Sequence, residues 1–322
     1  LLLATQSSHS TASPPAALRA FWKAARAPAL FVLDLGSFTA IRPKPDTAFH
    51  KIAKWPALAR GRKMEDRMDL GLEGKIVLVT GAASGMGRAI AHGFAAHRAR
   101  VFAVDRNADE LGETVREGAG LGGEIVPHVA DLTDRAQAEA IVDAAAARFG
   151  RVDVLVNNAG VMDKFQGIDE LDDDVWERNM AVNVDAPMRL MRKAVRVMLA
   201  SGGGAIVNVI SMSAVSGASA GVAYTASKHA LMGLTRATAW AYAERGIRVN
   251  AILPGATATN IGQSIGPDFS EVGQARSARF HALNPVQMVP QDMADLALFL
   301  ASDRAVRISG AEVSADGGWC AC

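Results

Sequence analysis

Cysteine is almost missing from this chain: of 322 residues only Cys320 and Cys322 carry a thiol, both at the C-terminal end. One intervening residue is poor geometry for a disulfide, and two ligands do not make a zinc site. The pair reads as an incidental tail. The lack of a disulfide framework fits a reducing compartment, and a cytoplasmic location is expected. No apolar run reaches the ~18 residues of a membrane span. The best stretch, residues 27–38, is too short and contains Asp34. No basic region precedes the three leading leucines, so nothing there reads as a signal peptide. Residues 1–63 contain no Glu, and set ten Lys and Arg against Asp34 and Asp46, a net of +8. With a total of +1, the remainder carries −7. A mildly acidic body does not suggest a nucleic-acid binder, because phosphate binding needs clustered cations. The histidines, His229 beside Lys228 included, show no ligand spacing, and no metal is expected.

Half of the residues are hydrophobic and 21% are charged, a globular balance with ample material for a core. The composition changes near residue 64. Residues 1–63 hold six of the twelve prolines, which break any periodicity. They are expected to be an appendage, disordered or a non-native start. A basic targeting segment is one reading. Upstream sequence joined by a mis-set start codon, with Met64 or Met68 as the true start, is the favoured one. The catalytic domain is then residues 64–322.

From residue 75 onward, β-rich runs alternate with helical patterns. Strands are expected at 75–80, 100–105, 124–128, 152–157, 204–211, 248–253 and 311–314. Helices are expected at 86–96, 134–149, around 172–199, at 224–245 and near 291–302. Several strands are near-continuous Val, Ile and Leu, as a parallel sheet covered on both faces requires. The alternation predicts one doubly wound α/β domain, a Rossmann fold.

The first chemical signal is the glycine-rich stretch from Thr80 to Gly87, between a strand and a helix. Gly81 permits a tight turn, Gly85 lets backbone approach a pyrophosphate, and Gly87 allows close helix–strand contact. The helix start adds unpaired N–H groups and a positive dipole end. Asp105 ends the second strand, 18 residues after Gly87. A carboxylate there can bind both ribose hydroxyls and repel a 2′-phosphate. Arg106 could meet a phosphate, and Ser84 offers no charge. The balance predicts NAD, with NADP the less favoured cofactor. The second signal is Tyr224 and Lys228, at i and i+4 on one helix face. A tyrosine of ordinary pKa near ~10 is a poor base, and a neighbouring ammonium favours the phenolate. Either signal alone is weak; their order along one chain makes them informative.

Over residues 70–319 the sequence resembles the classical short-chain dehydrogenases/reductases. The glycine stretch, Asp131 after the third strand, the Asn157-Asn158-Ala159-Gly160 run and Asn183 in its Ala181-Val182-Asn183-Val184 setting fall in that family's order. So do Ser211, 13 residues before Tyr224, and Pro254-Gly255 with Thr257 and Thr259. The resemblance implies hydride transfer between a nicotinamide and a carbonyl or alcohol carbon. It implies Tyr224 as general acid and base, and Ser211 bonded to the substrate oxygen. Lys228 would hold the ribose and depress the tyrosine pKa, and Asn183 would order a water that leads from Lys228 to solvent. Cofactor contacts are implied for Gly81, Ser84, Gly85, Met86, Gly87, Asp105, Arg106, Asp131, Leu132, Asn158, Ala159 and Gly160. Tyr224, Lys228, Pro254, Gly255, Thr257 and Thr259 complete that set.

The leading expectation is an NAD-dependent alcohol dehydrogenase or carbonyl reductase acting on a secondary alcohol and its ketone. An NADPH-dependent 3-oxoacyl thioester reductase is the rival within the family. A nucleotide-sensing binding protein without catalysis is the rival outside it. Ile210-Ser211 stands where many members have two serines, and Ser213 is a near rival to Ser211 at the wrong spacing. The acidic run at 169–174 suits a helix first turn better than a metal site. Residues 260–289 are expected to form a flap over the substrate, with Ile261, Ile265, Phe269, Phe280, Leu283 and Met288 as an apolar wall. The resemblance implies a homo-oligomer, a homotetramer or homodimer, and the small residues of the Tyr224 helix and Trp319, too large to leave in water, give it partial support.

Overall fold

The computed structural model describes residues 69–321. The expectations for residues 1–63, and the two proposed start sites, lie outside them.

Seven strands form one parallel sheet in the order β3-β2-β1-β4-β5-β6-β7. They are β1 (Ile76–Thr80), β2 (Arg100–Asp105), β3 (Glu124–Val129), β4 (Val154–Asn157), β5 (Gly204–Val209), β6 (Ile247–Pro254) and β7 (Glu312–Ala315). The expected doubly wound α/β fold is present. The central strands are mostly apolar and buried along nearly their whole length, because both of their faces are covered. Val77 and Val79 of β1 join one core with Ile90 and Phe94 of α1 (Gly85–Ala96) and Ala297 and Leu298 of α8 (Pro290–Ala301). Leu78, one residue out of phase, joins the other core. There it is joined by Ile141 of α3 (Arg135–Phe149), Leu190 of α5 (Ala186–Ala200) and Ala239 of α6 (Val222–Tyr242).

Three elements differ from the sequence expectation. Helix α2 (Ala108–Glu117) was not foreseen. Only Leu111 and Thr114 are buried on it, too few to make a pattern, and its start is fixed by the Asn107 side chain accepting from the Glu110 N–H. The expected long helix at 172–199 is α4 (Asp173–Met180), a π turn at Ala181–Asp185, and α5. The expected flap contains α7 (Glu271–His281), capped by Ser270. No helix among the described residues is long and apolar enough to cross a membrane.

The sheet order reverses between β1 and β4, since β2 follows β1 on one side and β4 lies on the other. In such sheets the crevice beyond the strand C-termini at that reversal is the natural ligand site.

Candidate active site

The turn after β1 shows why its glycines are required. Gly81 and Gly85 have φ of +68° and +53°. Gly87 is held by contact: a Cβ there would overlap the Gly81 carbonyl oxygen and lie 2.6 Å from Asn158 Nδ2. Asn158 pins this turn by donating from Nδ2 to the Thr80 carbonyl at 2.9 Å. The N–H groups of Asn158 and Ala159 both donate to Thr80 Oγ1 at 3.1 Å. Ser84 is the N-cap of α1 and makes no side-chain cap bond. The first N–H groups of α1 have no helical acceptor, as at any helix start, and they open on the crevice end of the sheet.

A cavity of about 340 Å³ lies beside this turn. Gly81, Asp105, Arg106, Asp131, Leu132, Ala159 and Gly160 line it, as the sequence reading grouped them. Asn260, Ile261, Gln263 and Ser264, from the start of the flap, close it from above. Ser264 is latched on two sides: its Oγ accepts from the Met162 N–H at 2.8 Å, and its carbonyl accepts from Arg178 at 2.7 Å. Thr259 packs on Gly85, where an added Cβ would lie 3.2 Å away. Thr257 bridges Met288 and bonds the Gly255 carbonyl, and Gly255 ends against Asp316.

Several of these residues have structural partners besides any ligand. Asp105 Oδ2 accepts from the Ala83 N–H at 3.1 Å and Oδ1 from the Asn107 N–H at 3.0 Å. Asp131 accepts from the N–H and hydroxyl of Thr133. Arg88 and Thr114, which the sequence reading missed, both bond the Ala83 carbonyl and brace the glycine turn. The Arg88 N–H groups also donate to Thr114 Oγ1 and Glu117.

At the other end of the crevice Ser211, Tyr224, Lys228 and Asn183 come together. Ser211 follows β5; its Oγ donates to Ser213 Oγ and accepts from the Ser213 N–H, both at 3.1 Å. Tyr224 and Lys228 sit one turn apart on α6, both buried, with Lys228 Nζ 5.3 Å from the tyrosine ring centre. Asn183 stands in the π turn. Its amide exchanges two 2.9 Å bonds with the backbone of Val161 and donates to Ser227 Oγ at 3.0 Å. A Cβ on Gly160 would lie 3.3 Å from Lys228 Nζ and 3.4 Å from Asn183 Oδ1, so glycine lets both approach.

Burial dominates the protonation of this pair. It pushes the Tyr224 phenol up to about 12, against the lowering effect of the Ser211 hydroxyl and with a further rise from Asp163. Burial pushes the Lys228 ammonium down to about 8. The sequence alone predicts an ammonium that lowers the phenol; in the protein alone, desolvation of the phenolate is the larger effect. Among the described residues Lys228 Nζ has no hydrogen-bond or ion-pair partner. A buried ammonium without an acceptor fits a hydroxyl-bearing ligand such as the ribose of a dinucleotide.

Two expectations about the flap and C-terminus are corrected. Trp319 is 3% exposed within a single chain, so no second subunit is needed to cover it. Its ring stacks on Phe280 at 4.9 Å and its Nε1–H donates to the Phe280 carbonyl. Leu283 is exposed and forms no pocket wall.

The family model for the short chain dehydrogenases matches residues 75–269. The 3beta-hydroxysteroid dehydrogenase 2 of Eggerthella lenta is 42% identical over 251 residues, covering 78% of this chain and 96% of that protein. A proposed NAD(P)-dependent gluconate 5-dehydrogenase from Beutenbergia cavernae, with NADP bound at low occupancy, is 41% identical. Its TM-score is 0.71, over 79% of this chain and all of that one. A proposed 2-deoxy-D-gluconate 3-dehydrogenase from Agrobacterium tumefaciens with bound NADP is 34% identical, with a TM-score of 0.69 over 79% of this chain and 100% of that one.

These two structures overturn the ranking of NAD above NADP. The ranking rested on the Asp105 carboxylate, which the fold already employs to hold Ala83 and Asn107, while Arg106 brings positive charge to the same cavity. The family match, together with the sheet order and the crevice at its reversal, places the chain in the short chain dehydrogenase family of NAD(P)-dependent oxidoreductases.

Proposed function

We propose that this protein interconverts a secondary alcohol and a ketone, with Tyr224 donating the proton in reduction and accepting it in oxidation. The observation that carries this reading is the meeting of Ser211, Tyr224 and an unpartnered Lys228 in the crevice at the C-terminal end of the sheet, next to a cavity lined by the glycine turn. The bound dinucleotide supplies the hydride acceptor or donor. Its pyrophosphate would be held by the turn from Gly81 to Gly87, and its adenosine end by Asp105, Arg106, Asp131 and Leu132. Asn158, Ala159, Gly160, Pro254, Gly255, Thr257 and Thr259 would complete the cradle.

Ser211 Oγ, fixed by Ser213, would hydrogen-bond the substrate oxygen, where negative charge grows as the carbonyl is reduced. Tyr224 holds its proton at neutral pH because burial disfavours the phenolate, which suits a proton donor. Oxidation requires phenolate, so positive charge beside the ring must then offset the burial. Lys228 is the group placed to supply part of it. The π turn breaks the regular carbonyl ladder around Asn183. That supports a place there for a water leading from Lys228 towards solvent.

The names of similar proteins point to hydroxysteroids and sugar acids as the classes to try first. A screen of secondary alcohols, sugars, hydroxysteroids and 3-hydroxyacyl thioesters with NADH and NADPH, read by nicotinamide absorbance, tests the reading. Turnover of none of the four classes would count against it.

The outward face of α6 carries Gly233, Ala237, Ala241 and a largely exposed Trp240. Such a face supports a homodimer or homotetramer, which light scattering decides. A cytoplasmic setting rests on the scarcity of cysteine. Residues 1–63 are dispensable in this reading, and a chain begun at Met64 or Met68 should turn over normally.

A further inference from the structure

Asp163 stands on the loop after β4 and is 1% exposed, yet no step above uses it. Its carboxylate accepts three backbone N–H bonds. Oδ1 takes those of Phe165 and Gly221, each at 3.0 Å, and Oδ2 takes that of Tyr224 at 2.9 Å. Gly221 is the N-cap of α6 and has no side chain with which to cap it. Tyr224 is the third residue of the helix. Asp163 therefore does from another loop what a capping side chain does locally, and sets a negative charge at the positive end of the helix. Gly221 is glycine for this contact, since a Cβ there would lie 2.5 Å from Asp163 Oδ2.

The same loop reaches the flap. The Lys164 carbonyl accepts from the Ser270 N–H, and a Cβ on Gly273 of α7 would overlap the Phe165 carbonyl. The Gln166 carbonyl accepts from the Val222 N–H, and the Gln166 side chain donates to Asp172, the N-cap of α4. Four residues thus gather the starts of three helices, and Asp163 is the one bonded to the residue that bears the phenol.

We propose that Asp163 is a positioning residue for Tyr224, seating the first turn of α6 and with it the phenol in the reaction crevice. This inference rests on the role of Tyr224 given above. The groups facing the phenol are Lys228 on α6, Ser211 after β5 and Asp163 after β4. The uncharged Asn183 of the π turn reaches the Tyr224 backbone carbonyl through Ser227, and His281 of the flap is bonded to the Ser219 carbonyl, before α6. Asp163 is the negative charge acting on Tyr224.

The test measures kcat, KM and the pH profile of alcohol oxidation for Asp163→Asn and Gly221→Ala. In Asp163→Asn, an amide N–H replaces one acceptor and the charge is lost. A misplacement of about 1 Å can cost about 100-fold, so kcat should fall about 10- to 100-fold with the dinucleotide KM unchanged. The acid limb should move to lower pH, because a carboxylate that opposes the phenolate is gone. Gly221→Ala displaces the carboxylate but keeps its charge, so kcat should fall with the limb in place. A folded Asp163→Asn protein with wild-type kcat, or with reduced kcat and an unmoved limb, overturns the proposal. If Asp163→Asn fails to fold, a folded Gly221→Ala protein decides, wild-type kcat overturning the proposal and reduced kcat supporting it. Failure of both to fold overturns it too, since Asp163 would then be a requirement of folding. The underlying reading fails separately, through an active Tyr224→Phe protein.

Discussion

Replacing Gly87 by alanine puts the contact between the glycine turn and α1 to a quantitative test. The added Cβ would overlap the Gly81 carbonyl oxygen and lie 2.6 Å from Asn158 Nδ2, inside the 3.0 Å that real Cβ atoms respect. No rotamer can relieve the first clash, because a backbone atom makes it. The second would displace the amide that holds the Thr80 carbonyl at 2.9 Å. Overpacking of this kind costs about 1–3 kcal/mol, and rigid neighbours place it near the upper end. About 3 kcal/mol corresponds to a Tm lower by roughly 6–12 °C for a domain of this size. The same shift moves the first N–H groups of α1, and a hydrogen bond to a charged group contributes about 1.5–3 kcal/mol. Loss of one such bond weakens dinucleotide binding roughly 10- to 150-fold. Thermal unfolding and fluorescence titration with NADH and NADPH measure both effects. A Gly87→Ala protein with wild-type Tm and wild-type affinity for both dinucleotides would refute the reasoning.

Trp319→Ala removes the ring stacked on Phe280 and a donor to its carbonyl, a truncation that costs about 3–5 kcal/mol at a buried site. Its effect should appear as faster hydrogen exchange in α7 with β1 and β4 unchanged, and equal acceleration everywhere would contradict a local role for the latch. Lys228→Met should alter the pH dependence of stability. Burial lowers the ammonium to about 8, so between pH 8 and about 10 the unfolded chain binds more protons than the native one and wild-type stability rises with pH. Below that window the cost of burying the charge is fully present; above about 10, Tyr224, raised to about 12, reverses the slope. Urea titrations across that range should show the rise in the wild type and not in Lys228→Met, and a rise of equal size in both would dismiss Lys228 as its source.

The sheet was legible because its strands are short apolar runs separated by helical patterns, and the crevice because the glycine turn and Asp105 follow successive strands. Helix α2 was hidden by having two buried positions, and α7 by its thin apolar content, with Gly273 and Ser277 its buried residues. The π turn leaves no mark in composition or period. Asp163 is one acidic residue in a loop, and its partners lie up to 61 positions away. Trp319 was foreseen as buried, but sequence gives no means of knowing that Phe280 would cover it. The cofactor ranking failed because a carboxylate at a strand end serves the backbone as readily as a ribose.

The central claim is that the Tyr224 phenol moves the proton that accompanies hydride transfer. Tyr224→Phe keeps the ring and removes only the hydroxyl. Steady-state turnover of a substrate found in the screen, measured beside dinucleotide affinity, tests this directly. Affinity should be unchanged and kcat should fall by about two to four orders of magnitude, the usual contribution of a positioned acid or base. A Tyr224→Phe protein with near-wild-type kcat would contradict the account.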